Sequence, residues 1–237
     1  MGDLTVRTGP PRVRLLGRPG VGKTVLAAAL RSRGLDAGLD GAADAHLYCV
    51  AGGLRATDRA AIDTLAADAT PLLVAWTKAD AAGSWRAADA YAEQLAATLG
   101  RPVLAVMALL DAIEPVDVEA ARRLADSDLA LPESALEAAA ALGDDAPLLH
   151  RMGGYGLACA MGALRERPTL PGDELLPRLR ELSGVDLLLP PLAEAFADCA
   201  ARREAEFDET LRAAARTDCT RRDAAEQLLL DRLARAS

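Results

Sequence analysis

Apolar residues in the first 110 positions gather into four short runs: "RVRLL" (12–16), "AHLYCVA" (45–51), "PLLVAW" (71–76) and "RPVLAVMAL" (101–109). Runs of this length fit strands buried on both faces of a parallel sheet. Between them, apolar positions recur at helical spacing over 23–33, 57–68 and 86–99. Thr57 and Asp58 open the second of these helices in a capping context, and Gly100 followed by Pro102 closes the third. Strand alternating with helix predicts βαβ units: an α/β fold with a mostly parallel sheet and flanking helices.

After residue 112 the strand signal stops. "PESALEAAAALG" (132–143) places Pro at a first helical position and Gly at the exit, and "GLACAMGALRER" (156–167) repeats Leu157, Met161 and Leu164 at helical spacing. "DELLPRLRELSG" (173–184), a long stripe over 191–217 and a last segment over 220–235 extend the helical pattern. The chain therefore divides, on this reading, into an α/β domain over 1–112 and an all-α helical domain over 113–237. "MGGYG" (152–156) follows no strand and lacks a Lys-Ser/Thr pair, so it reads as a hinge or helix entry rather than a second phosphate loop.

Composition narrows the function classes. With 237 residues, 51% of them apolar, the chain can bury a substantial core. A net charge of −8 argues against a standing grip on nucleic acid or on an anionic membrane, both of which need a basic face. The arginine pairs at 122/123, 202/203 and 221/222 read as solvated helix faces. Cys49, Cys159, Cys199 and Cys219 are far apart, and His46 and His150 are the only histidines, so neither a disulfide frame nor a zinc site is indicated. No leader pattern and no apolar run of the ~18 residues a bilayer span needs is present, and a reducing cytoplasm is the expected compartment.

The lysines are more informative. Of 27 basic side chains only two are lysine, Lys23 and Lys78. Arginine's broad fork cannot replace a compact ammonium on a flexible stem, which gives the survival of lysine at these two places a physical reading. Lys23 belongs to "GRPGVGKT" (17–24), which satisfies GxxxxGK[ST] between a strand and a helix. In such a loop the backbone N–H groups around Gly17, Gly20, Val21, Gly22 and Lys23 converge on phosphate oxygens at a helix start. The Lys23 ammonium would sit at the β and γ phosphates, and the Thr24 hydroxyl would ligate Mg²⁺.

Lys78 belongs to "TKAD" (77–80), at the carboxyl end of the third strand pattern, the edge where α/β sheets bind ligands. A carboxylate at Asp80 can accept both N–H groups of a guanine edge, which adenine does not offer, and the Lys78 stem can lie along the base.

With these motifs in that order, the chain resembles P-loop GTPases of the translation-factor-related class, in the dynamin-like and Era-like group. The segment "HLYCVAGGLRATDRAAIDTL" is similar to the strand and helix that precede the base-recognition motif there, and "TKAD" stands for the family's Asn-Lys-x-Asp, with Thr77 at the first position. "MAL" (107–109) stands where the family has Ser-Ala-Leu or Ser-Ala-Lys. The resemblance implies that the Ala108 N–H, with Leu109 beside it, meets guanine O6, while Met107 cannot supply the serine hydroxyl. It covers about residues 10–112; the helical half is similar, by pattern, to segments that follow the GTPase domain in bacterial dynamin-like proteins.

The family's switch threonine and DxxG motif have no counterpart. Only "GLDAGLDGAADA" (34–45) fills that interval, and its nearest approach, "LDAG", makes Asp36 the first candidate for a magnesium ligand, followed by Asp40 and Asp44. A short acidic loop replacing both switches is the alternative. No Gln or His is placed to orient water; Arg18 and Arg55 are the cations within reach of a phosphate, or else solvated. The expectation is a GTP- or GDP-binding protein with Mg²⁺, slow or absent hydrolysis, and a helical domain for a protein partner or self-association. An ATP-binding P-loop ATPase and a non-catalytic scaffold are the alternatives.

Overall fold

The structure, a computed structural model, describes residues 10–127, 129–132, 135–217, 220 and 222–236. In chain order its elements are β1 (Arg12–Leu16), α1 (Lys23–Arg31), β2 (Asp36–Gly38), β3 (Ala45–Val50), α2 (Ala56–Ala66), β4 (Leu72–Thr77), α3 (Trp85–Leu99) and β5 (Val103–Val106). There follow α4 (Pro115–Ala125), α5 (Ala135–Leu142), α6 (Pro147–Glu166), α7 (Gly172–Glu181), α8 (Leu189–Thr217) and α9 (Arg222–Ala236), with short 3-10 turns at 79–82, 108–112, 143–145 and 185–188.

The five strands form one sheet in the order β2-β1-β3-β4-β5, and every pairing is parallel. The fold class is α/β, with helices on both faces and a helical C-terminal part. The three-residue edge strand β2 lies within the interval read from sequence as an acidic loop. Its run of Asp-Ala-Gly is too short to produce a pattern, and the parallel ladder with β1 supplies what propensity does not.

Alternation along the strands feeds two separate cores. Tyr48, Val50, Val74, Trp76 and Ala105 face one side, where they meet Ile62 of α2, Ala88 of α3 and residues of α4, α6 and α7. Val13, Leu15, Leu47, Cys49 and Ala75 face the other, where Leu26 and Leu30 of α1 cover them. Residues two apart share a face, so each buried strand contributes to both layers.

The expected boundary at residue 112 has no counterpart in this packing. Buried Leu157, Met161 and Leu179 join the same cluster as the sheet residues Val74 and Trp76. The second face is closed from the far end of the chain, by Val185, Leu188, Leu192 and Ala195. Arg33, after α1, pairs with Asp111 at 2.8 Å and with Asp186, so both ends of the helical segment 112–185 are held beside one helix. The reason is geometric: α1 alone cannot cover one face of a five-stranded sheet, and α8 supplies the rest. Beyond the sheet, the far half of α8 packs on α9 through Leu211 and Ala225, with Arg232 pairing with Asp208 at 2.7 Å.

Candidate functional site

The strand order reverses at β1, with β2 on one side and β3 on the other. The carboxyl ends of strands flanking such a point are where open α/β sheets form a ligand crevice. Residues 17–22 leave β1 there. Gly17 has φ 128°, and a Cβ on it would lie 2.3 Å from the Cys49 carbonyl oxygen, so no other residue fits where the loop presses on β3. Gly22 is the N-cap of α1, and neither a capping side chain nor a first-turn acid occupies that helix end. First-turn N–H groups have no partner within their own helix, and the dipole makes this end favourable to an anion. The Lys23 ammonium arches back across the loop and donates to the carbonyls of Gly17 at 2.8 Å and Arg18 at 2.7 Å. Thr24 is exposed in the first turn.

Arg18 does not point into this space. Its Nε donates to both oxygens of Asp58, at 2.9 and 3.0 Å, and its Nη2 donates to the Ala51 carbonyl. Asp58, 0% exposed, also accepts from the Tyr48 hydroxyl and from the Arg55 backbone N–H, both at 3.1 Å. Burial and this carboxylate push the Tyr48 hydroxyl up to about 12. One buried carboxylate thus caps α2, satisfies β3 and anchors the glycine loop. Sequence flagged Asp58 only as a cap; its role across 40 residues comes from the β1–β3 pairing.

The two lysine motifs meet. The Thr77 hydroxyl donates to the Val21 carbonyl within the loop and also approaches the Val50 carbonyl at 3.1 Å. Lys78 adopts φ 57°, a left-handed turn, and its Cε lies 4.0 Å from the position a Gly22 Cβ would take, so its stem passes over the loop. Asp80 follows in a 3-10 turn, half-buried, with burial raising its carboxyl pKa against the pull of its own backbone N–H and of Lys78. It borders a cleft of about 1070 Å³ shared with Leu109, Ser84 and residues of α6. Ala108 is buried in the cluster that contains Val21. The Met107 N–H donates to the Ser183 carbonyl at 2.7 Å, and the Trp85 indole donates to the Leu182 carbonyl at 3.1 Å, which tie the end of β5 and the start of α3 to the segment before α8. A second cleft, about 690 Å³, lies by Leu72 and Arg202 at the opposite edge and contains none of the predicted site residues.

The magnesium candidates are not gathered with Thr24. Asp36 stands level with Arg12 at the start of β1 and pairs with it at 3.9 Å. Thr24 follows the other end of that strand, about 13 Å away along five residues at strand rise. Asp44 is buried at the same far edge, where it accepts from the Arg12 N–H at 2.6 Å and pairs with Arg203 of α8. Asp40 is exposed beside Gly41, next to the Arg12 guanidinium. Asp36 and Asp44 fasten the sheet edge; the correction to Asp36 follows from β2 running parallel to β1, which fixes its first residue at the amino end. Among the described residues no group of three or more His, Cys, Asp or Glu is arranged to hold a metal.

"MGGYG" lies inside α6 and is a helix break: Gly153 has φ 71° and ψ 161°. The hinge expectation did not include its neighbour, the Asp80 carboxylate, with Oδ2 2.9 Å from where a Gly153 Cβ would stand. Cys49, with its thiol pushed up to about 12 by burial, and Cys199 are buried, and Cys159 is half-buried; none is in a disulfide. Cys219 and Arg221 lie outside the described residues. Among the described residues no helix is long and apolar enough to cross a membrane. Compared with family models, with curated proteins and with solved structures, the chain matches none of them.

Proposed function

We propose that the protein binds a guanine nucleotide, with the phosphates on the 17–24 loop and the base at Asp80. One observation carries the reading: the Thr77 hydroxyl bonds the Val21 carbonyl and the Lys78 stem lies over Gly22, so the two lysine-bearing motifs belong to a single site. The uncapped start of α1 suits an anion, and the half-buried Asp80 carboxylate suits a donor-donor edge such as guanine N1–H and N2–H. Thr24 and the phosphate oxygens, with water, would hold Mg²⁺; this ion keeps several waters and commonly takes few protein ligands. Arg18 is committed to Asp58, and the predicted carboxylates are remote, so the residues near the loop favour binding over rapid hydrolysis. The helical part, including the exposed Leu228 and Leu230 on α9, would serve a protein partner or a second copy. Competition of GTP against ATP in the presence of Mg²⁺ tests the base assignment. GTP should displace a bound guanine nucleotide at least tenfold more effectively than ATP; equal displacement would sink it.

A further inference from the structure

The break in α6 lies on the base side of the proposed site. Gly153 stands in a backbone region that only glycine occupies readily, and a Cβ there would crowd Asp80 Oδ2 at 2.9 Å and Asp80 Cγ at 3.6 Å. The requirement for glycine is therefore double: its conformation, and the room it leaves for one particular carboxylate. The same α6 segment, with His150 and Tyr155, lines the cleft that Asp80 shares with Leu109. A planar ligand that reaches the Asp80 carboxylate by this route has α6 on one side and Leu109, in the 108–112 turn after β5, on the other.

We propose that the α6 break forms a wall of the base pocket, and that Gly153 is a positioning residue that lets the Asp80 carboxylate face a guanine edge. The inference rests on the guanine reading and extends it: the helical segment inserted between β5 and α8 completes the nucleotide site, and binding of the base is coupled to the order of α6. Phosphate binding, at the opposite end of the ligand, is independent of it.

The test uses the full chain with Mg²⁺ and two probes, GTP and inorganic tripolyphosphate. In the wild type, GTP should slow amide hydrogen exchange over both 17–24 and 150–156, while tripolyphosphate slows 17–24 alone. Gly153→Ala should weaken GTP at least tenfold and leave tripolyphosphate within twofold. Gly162→Ala, on the same helix with open space around it, should leave both unchanged. GTP protection confined to 17–24, or wild-type GTP affinity in Gly153→Ala, overturns the inference and leaves the guanine reading standing. Failure of the wild type to bind either probe removes the nucleotide reading and this inference together. Should Gly153→Ala not fold, the exchange pattern of the wild type decides.

Discussion

Replacing Asp58 by alanine removes the acceptor on which three elements converge: Arg18 of the glycine loop, Tyr48 of β3 and the Arg55 N–H at the start of α2. A hydrogen bond to a charged group is worth ~1.5–3 kcal/mol, and a buried hydroxyl left without its acceptor costs ~1–3 kcal/mol. Loss of the cap adds ~1 kcal/mol. These losses overlap, and Arg18, at 21% exposure, can turn partly to water, so a total of ~3–5 kcal/mol, the range for breaking a buried pair, is expected. At ~2–4 °C per kcal/mol for a chain of this length, Tm should fall by roughly 6–20 °C. Thermal melts of Asp58→Ala, Arg18→Ala and the double variant test this. The coupling should exceed ~0.5 kcal/mol, because the residues share one contact. Nucleotide affinity should fall as well, since the Arg18 carbonyl is one of the two that hold the Lys23 ammonium. A Tm within 2 °C of wild type, about the effect of half a kcal/mol, or additive single variants, would refute the view that this carboxylate anchors the loop.

Three other predictions concern the ligand. Saturating GTP at a hundred times its dissociation constant should stabilise the wild type by ~2.7 kcal/mol, and Lys23→Ala should abolish that shift in a thermal-melt assay. Asp80→Asn should lose GTP and gain xanthosine triphosphate, because an amide can donate to the 2-oxo group of xanthine; competition between the two nucleotides reads this directly. Burial raises the Asp80 carboxyl, so GTP affinity should begin to fall on acidification above the ~3.9 of an ordinary aspartate, and Asp80→Asn should lack that dependence. The ligand-free protein behaves oppositely: between ~3.9 and the raised folded value the fold binds more protons than the unfolded chain, so this group's contribution is present at low pH and lost as pH rises.

The strand and helix positions of the first hundred residues were legible because buried parallel strands concentrate apolar residues into short runs, and β3 and β4 begin and end close to those runs. Local chemistry also marked the glycine loop and "TKAD". Sequence could not reveal that they touch, since the Thr77–Val21 bond spans 56 residues and exists only through the pairing of β1, β3 and β4. The distance of Asp36 from Thr24 was hidden for a related reason: it depends on the direction of β2, and three residues carry no directional signal.

Periodicity separated a strand-rich half from a helical half, and it did so correctly as a statement about local structure. It could not place a core. The residues after 112 cover both faces of the sheet, because burial is decided by which surfaces meet and not by the order in which the chain supplies them. The sequence by itself determined the four long strands, the helical character of the second half and the two lysine-bearing motifs, and it marked 152–156 as a hinge or helix entry without saying which glycine breaks α6. Only the tertiary structure decided that the two motifs touch, that Arg18 is spent on Asp58, and that the break in α6 stands against Asp80, since each depends on contacts between segments whose separation in sequence leaves no local trace.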